Sequence, residues 1–170
     1  MGITDTEDRT FPTSAGVLFG VGLGGFFDGI MLHQILQWHH MVTSAGYPPD
    51  TVENLKLNTL LDGLFHAATY IFLLAGLILL WRTARRRHLR WSSKLLAGTM
   101  LIGFGAFQRG GGIGEPPITR AASRQRNGAA RAVDFLGRSV LDWGAAMLIR
   151  GWALYRAGLA SNPARGALKR

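Results

Sequence analysis

Residues 60–81, LLDGLFHAATYIFLLAGLILLW, constrain this chain more than any other stretch. A bilayer hydrocarbon core of roughly 30 Å asks for about 20 apolar-dominated residues in one helix, and this run supplies them. It predicts a membrane-spanning helix, and the rest of the sequence is read around it. Directly after it comes WRTARRRHLRWSSK, residues 81–94, with Arg82, Arg85, Arg86, Arg87, Arg90 and Lys94 in one short connection. By the positive-inside rule that connection is cytoplasmic, so the loop preceding the 60–81 helix lies outside. His88 belongs to the same cytoplasmic charge.

The formal charge of +9, from 19 Lys and Arg against 10 Asp and Glu, could suggest a nucleic-acid partner. Between two apolar segments it is a topology signal that also touches anionic lipid, so the expected partner is the bilayer and not nucleic acid. The absence of cysteine excludes disulfides, thiolate metal sites and Cys nucleophiles.

Residues 14–42, SAGVLFGVGLGGFFDGIMLHQILQWHHMV, predict a first membrane helix with an apolar, glycine-rich first half and a polar second half. The run Gly20-Val21-Gly22-Leu23-Gly24-Gly25 has no preceding strand and no following P-loop lysine, so it predicts close helix packing rather than a nucleotide loop. Residues 1–13 carry Asp5, Glu7 and Asp8, lack the basic region of a cleavable signal, and are expected to be a cytoplasmic lead-in. A Pro-Pro loop lies at Tyr47 to Asp50. Residues 95–107 begin a third helix that is too short to span, and 143–160 resume as a fourth, followed by a basic cytoplasmic tail at 161–170. The expected architecture is an all-α, integral membrane helical bundle forming one membrane domain over 14–160, multi-pass in the cell membrane, with both termini cytoplasmic.

Residues 108–142 break the pattern: six Arg, six Gly and two Pro without apolar periodicity, a net charge of +3 against Glu115, Asp134 and Asp142. Read one base later, codons for Gln108 to Arg124 can encode NVVEGLANHQLLGQHHV. Set against FFDGIMLHQILQWHHM of the first helix, both strings read acid-Gly, three residues, His-Gln, one residue, Leu, two residues, His-His. The expectation drawn from this is a compensated frameshift in an ancestral tandem repeat of two helical hairpins, with the third helix and its loop disrupted here. The intact form would have four transmembrane helices.

The strings Gly24-Gly25-Phe26-Phe27-Asp28-Gly29, Leu32-His33-Gln34-Ile35-Leu36-Gln37-Trp38-His39-His40-Met41 and Asp62-Gly63-Leu64-Phe65-His66 resemble a prokaryotic family of predicted membrane proteins, domain of unknown function 2243. The resemblance covers about residues 15–107 and 143–158. It implies a four-helix membrane protein and carries no activity with it. The family's later acid-Gly and His-His motif is absent from the translated residues and occurs only in the shifted frame.

The chemistry therefore rests on individual residues. On an α-helical wheel His33 and His40 fall on one side, as do Asp28 and His39, with Phe27, Met31, Ile35 and Trp38 opposite, toward lipid. At 1.5 Å per residue, His33 and His40 would be about 10 Å apart along a straight helix, so any site needs a second helix. Asp62 and His66, spaced i, i+4 at the start of helix two, are on the same membrane side and can supply it. The expected cluster is Asp28, His33, His39, His40, Asp62 and His66. Imidazole plus carboxylate without thiolate suits copper, zinc or iron, and His pairs suit haem. The first expectation is a metal- or haem-holding assembly factor serving a respiratory complex or acting as a homo-oligomer. The alternative is a small transporter or proton-relay protein using Asp28 and the histidines. No triad or carboxylate pair nominates a hydrolase.

Overall fold

The computed structural model describes the backbone of residues 12–36, 40–43, 45–85, 91–111 and 129–161, and their side chains except at 111 and 129–138. Regular structure among the described residues is entirely helical. Helix α1 (Thr13–Phe27) passes without a break into a π-helical segment (Asp28–Ile35), and α2 (Val52–Ala84), α3 (Ser93–Gly111) and α4 (Ala129–Ala160) follow. The expected all-α bundle is present, with helix boundaries that depart from those read off the sequence.

Helix one was expected to run to residue 42. Regular structure stops at Ile35, where the Leu36 N–H closes back onto the Met31 carbonyl at 2.9 Å. Helix two starts at Val52 rather than 60, because the Thr51 hydroxyl oxygen caps it by accepting the Asn54 N–H at 3.2 Å. Its polar first turns carry no apolar signal. Helix three, expected as a truncated 95–107, has 19 residues, about 28 Å of helix, close to the thickness of a bilayer core. Ser92 caps it through the Leu95 N–H at 3.3 Å. Helix four begins at Ala129 instead of 143, carried by Ala, Arg and Leu, which are good helix formers. The segment 108–142 is thus helical at 108–111 and 129–142, and its middle, 112–128, lies outside the described residues.

Helix α1 packs between α2 and α3, and α3 carries α4 on its other side, giving a row in the order α2, α1, α3, α4. Glycine makes each contact close. Gly16, Gly20 and Gly24 face Thr99, the Met100-to-Phe104 backbone and Phe107 of α3, and Gly103 faces Val17 and Val21 of α1 in return. On its other side α1 turns Gly22 and Gly25 to Leu73 and Thr69 of α2. Between α3 and α4, a Cβ at Gly98 would lie 2.6 Å from the Tyr155 nitrogen, and Gly105 meets Gly144 equally closely. The glycine run at 20–25 does pack helices, as expected.

The outer faces are apolar. Only 11% of the most hydropathic stretch of α2 is buried, against 44% for Thr13–Ile35, and Leu60, Leu64, Ile71, Phe72 and Leu77 are exposed. Such a surface is a liability in water and is at home in lipid. One expectation about that surface is corrected. Phe27 does not point to lipid; its ring lies 5.8 Å from Phe104 and 5.3 Å from Trp143, because α3 and α4 pack on that side.

Candidate functional site

The end of α1 and the beginning of α2 meet at one end of the bundle, opposite the Arg82-to-Lys94 connection. The local change of helix type organises what they carry. At 3.6 residues per turn, side chains five apart diverge by about 140°. A π-helix bonds i to i+5 and brings them onto one face. Asp28 and His33 are five apart inside the π-helical segment, and His33 Nε2 lies 3.4 Å from Asp28 Oδ2.

His33 is 1% exposed and its other nitrogen, Nδ1, lies 3.1 Å from Asp62 Oδ1. The second Asp62 oxygen is 2.7 Å from His40 Nδ1, and Oδ1 also accepts the Met41 N–H at 3.0 Å. Four side chains therefore form one connected series: Asp28, His33, Asp62, His40. The expected separation of about 10 Å between His33 and His40 does not arise, because the helix ends at Ile35 and the chain turns back. The two rings stand 6.4 Å apart, centroid to centroid.

The hydrogen-bond inventory of this series is restrictive. A carboxylate only accepts, and a neutral imidazole has one donor and one acceptor. His33 lies between two carboxylates, hydrogen-bonded to Asp62 through Nδ1 and at ion-pair distance from Asp28 through Nε2, so a proton on either ring nitrogen faces a carboxylate acceptor. Desolvating two carboxylates here would be costly without such partners.

Asn58, which the sequence reading did not single out, completes the end of the bundle. It is fully buried one turn before Asp62, donates to the carbonyls of Tyr47 at 2.8 Å and Asn54 at 2.9 Å, and accepts the Val42 N–H at 3.3 Å. Asn58 and Asp62 together hold residues 40–43 and Tyr47 against α2. The available signal was spacing: Asn58, Asp62, His66 and Thr69 recur at four, four and three in an otherwise apolar helix.

His66 does not join the Asp62 carboxylate, as the i, i+4 spacing suggested. Its Nδ1 lies 2.7 Å from the Asp62 backbone carbonyl, which can only accept, so Nδ1 carries a proton and the neutral ring would present its lone pair at Nε2. Nε2 is buried without a hydrogen-bond partner and packs against Gly29, where a Cβ would come within 2.6 Å of it. A side chain at position 29 would displace the ring. His39 and Gln37 lie outside the described residues. Among the described residues, no three or more His, Asp or Glu side chains converge as a metal-ligating set.

Apolar helices in close glycine-mediated contact, wrapped in exposed Leu, Ile and Phe and closed at one end by buried acid–imidazole bonds, define a helical membrane bundle. The chain belongs to the family described as predicted membrane protein (DUF2243), which matches residues 15–158. No curated protein and no solved structure matches it.

Proposed function

We propose that this membrane protein handles protons: the series His40, Asp62, His33, Asp28 conducts a proton between the aqueous end of the bundle and the level of Asp28. The observation that carries the reading is the alternation of imidazole and carboxylate, joined by hydrogen bonds of 2.7 and 3.1 Å and, between His33 and Asp28, an ion-pair distance of 3.4 Å. His40 is partly exposed while His33 is sealed, so the series has an entrance and an interior. With the Arg-rich connection on the cytoplasmic side, the entrance is extracytoplasmic and both termini are cytoplasmic.

Infrared spectroscopy of the protein in lipid nanodiscs tests this. Asp62→Asn should shift the carboxyl stretch of Asp28, which Asp62 reaches through His33. An Asp28 band unaffected by that substitution would show that the series does not act as one unit.

A metal or haem site is the second reading, and one observation favours it. His66 donates Nδ1–H to a carbonyl and keeps its Nε2 lone pair free, the arrangement typical of imidazoles that ligate metals. It would need further ligands from side chains already bonded to one another. Titration with copper(II), zinc, iron and haem separates the two readings: stoichiometric uptake lost in both His66→Ala and His33→Ala favours the metal site, and uptake no greater than in those variants favours the relay.

A further inference from the structure

Helix α4 is the last of the row and turns Gly144, Gly151 and Gly158 to α3. Arg150 lies off that seam and is exposed. Its depth follows from its neighbour: a Cβ at Gly151 would lie 2.8 Å from both the Gly98 carbonyl and the Ile102 nitrogen. Those two residues stand five and nine past Ser93, about 8 and 14 Å from the start of α3. Counted along α4 itself, the helix runs on for ten residues past Arg150 to Ala160, about 15 Å. Both counts put the Arg150 backbone well inside a hydrocarbon core of roughly 30 Å, on the half that faces the Arg82-to-Lys94 connection.

A guanidinium keeps its proton in a protein, so Arg150 is a permanent charge at that depth. An intramembrane arginine is tolerated where it meets an anion or reaches the headgroups. No described carboxylate lies within ion-pair distance of it. Asp142, also exposed on α4, is eight residues away, about 12 Å along the axis. Long cationic side chains do reach along a helix toward the headgroups, but an extended arginine covers only about half of the distance involved here. The anion has to come part of the way in. The surface of α4 leaves room for it, because Ala153 and Ala157, three and seven residues past Arg150, share its face and are exposed. At the level where Gly158 packs on Leu95, the exposed Lys94 and Arg156 add two positive charges.

We propose that Arg150 anchors the phosphate of an anionic phospholipid, drawn below the ordinary headgroup plane along the face of Ala153 and Ala157. A phosphate that enters there passes Lys94 and Arg156 and meets the guanidinium, whose planar fork binds two of its oxygens at once. A lipid brings the anion together with its own acyl chains, so the charge is answered by local thinning of the bilayer on that side. The site lies in the half of the bundle opposite the His33 and Asp62 series and does not depend on the relay.

Native mass spectrometry of the full chain, released from detergent micelles, tests this with dioleoylphosphatidylglycerol as probe. The parent should hold one such lipid about tenfold or more tightly than Arg150→Gln does, the loss of hydrogen bonds to a charged group. Arg150→Lys keeps the charge without the fork and should fall between the two. Arg82→Gln, in the basic connection, should bind as the parent does. Dioleoylphosphatidylcholine, with a phosphate but no net charge, and oleate, with a carboxylate, should both bind more weakly, and inorganic phosphate should not displace the bound lipid. Equal binding by the parent and Arg150→Gln overturns the site, as does a loss in Arg82→Gln that matches the loss in Arg150→Gln. Phosphatidylcholine or oleate held as tightly as phosphatidylglycerol, or displacement by inorganic phosphate, overturns the anionic phospholipid as its occupant.

Discussion

The two hairpins of this bundle are packed alike and equipped differently. In both, glycine lets helices approach: the first through Gly22, Gly25 and Gly76 between α1 and α2, the second through Gly98, Gly105, Gly144, Gly151 and Gly158 between α3 and α4. The first hairpin adds Asp28, His33, Asn58 and Asp62, bonded to one another or to the loop between its helices. The described part of the second has Thr99, bonded within its own turn, and Gln108, whose buried Nε2 has no partner. Among the described residues, the buried acid–imidazole bonds are an addition to this close packing, and they belong to the first hairpin.

The most far-reaching way to break that asymmetry is genetic. If the gene permits the shifted frame across codons 108–142, a chain with that frame restored gains an acid-Gly, His-Gln and His-His series in the second hairpin. Nitrogen NMR of the imidazoles should then show a second set of hydrogen-bonded histidines. Third codon positions that forbid the shifted motif would mean the hairpins are unlike by nature.

Within the present chain, Asp62→Ala should have the largest effect on stability. It leaves His33, His40 and the Met41 N–H without their acceptor, at about 3–5 kcal/mol, measurable by unfolding in mixed detergent micelles. Wedging leucine into a seam should cost less and should not discriminate between hairpins. Gly22→Leu, in the α1–α2 seam, and Gly151→Leu, in the α3–α4 seam, both drive a side chain into the facing helix, and each is expected to lose about 1–3 kcal/mol in the same assay. Unequal losses would mean that the two seams are not equivalent.

The smallest effect has the opposite sign. Gln108→Leu removes an unsatisfied buried amide, and thermal unfolding should show a gain of about 1 kcal/mol. A clear loss would reveal that Gln108 holds something, and the second hairpin would no longer be chemically silent.

The sequence carried the spans because they are written in composition: a run such as 60–81 has one physical solution in a bilayer whatever it packs against. It carried the close packing as well, since the glycines at 20–25 leave no side chain to hold neighbouring helices apart. The residue types of the site were visible for the same reason, because His and Asp inside apolar sequence need partners. Their pairing was not. Asp28 meets His33 only because the helix changes to π geometry, His40 meets Asp62 only because the helix stops at Ile35, and His66 turns from the Asp62 carboxylate toward Gly29. Each depends on where a neighbouring helix comes to rest, and helix ends are the least legible part of any sequence. Hydropathy and small-residue spacing act through local chain properties, so the sequence alone determined that this is a helical membrane bundle. Which carboxylate faces which imidazole is a matter of a few ångströms between elements distant in the chain, and only the tertiary structure decided that.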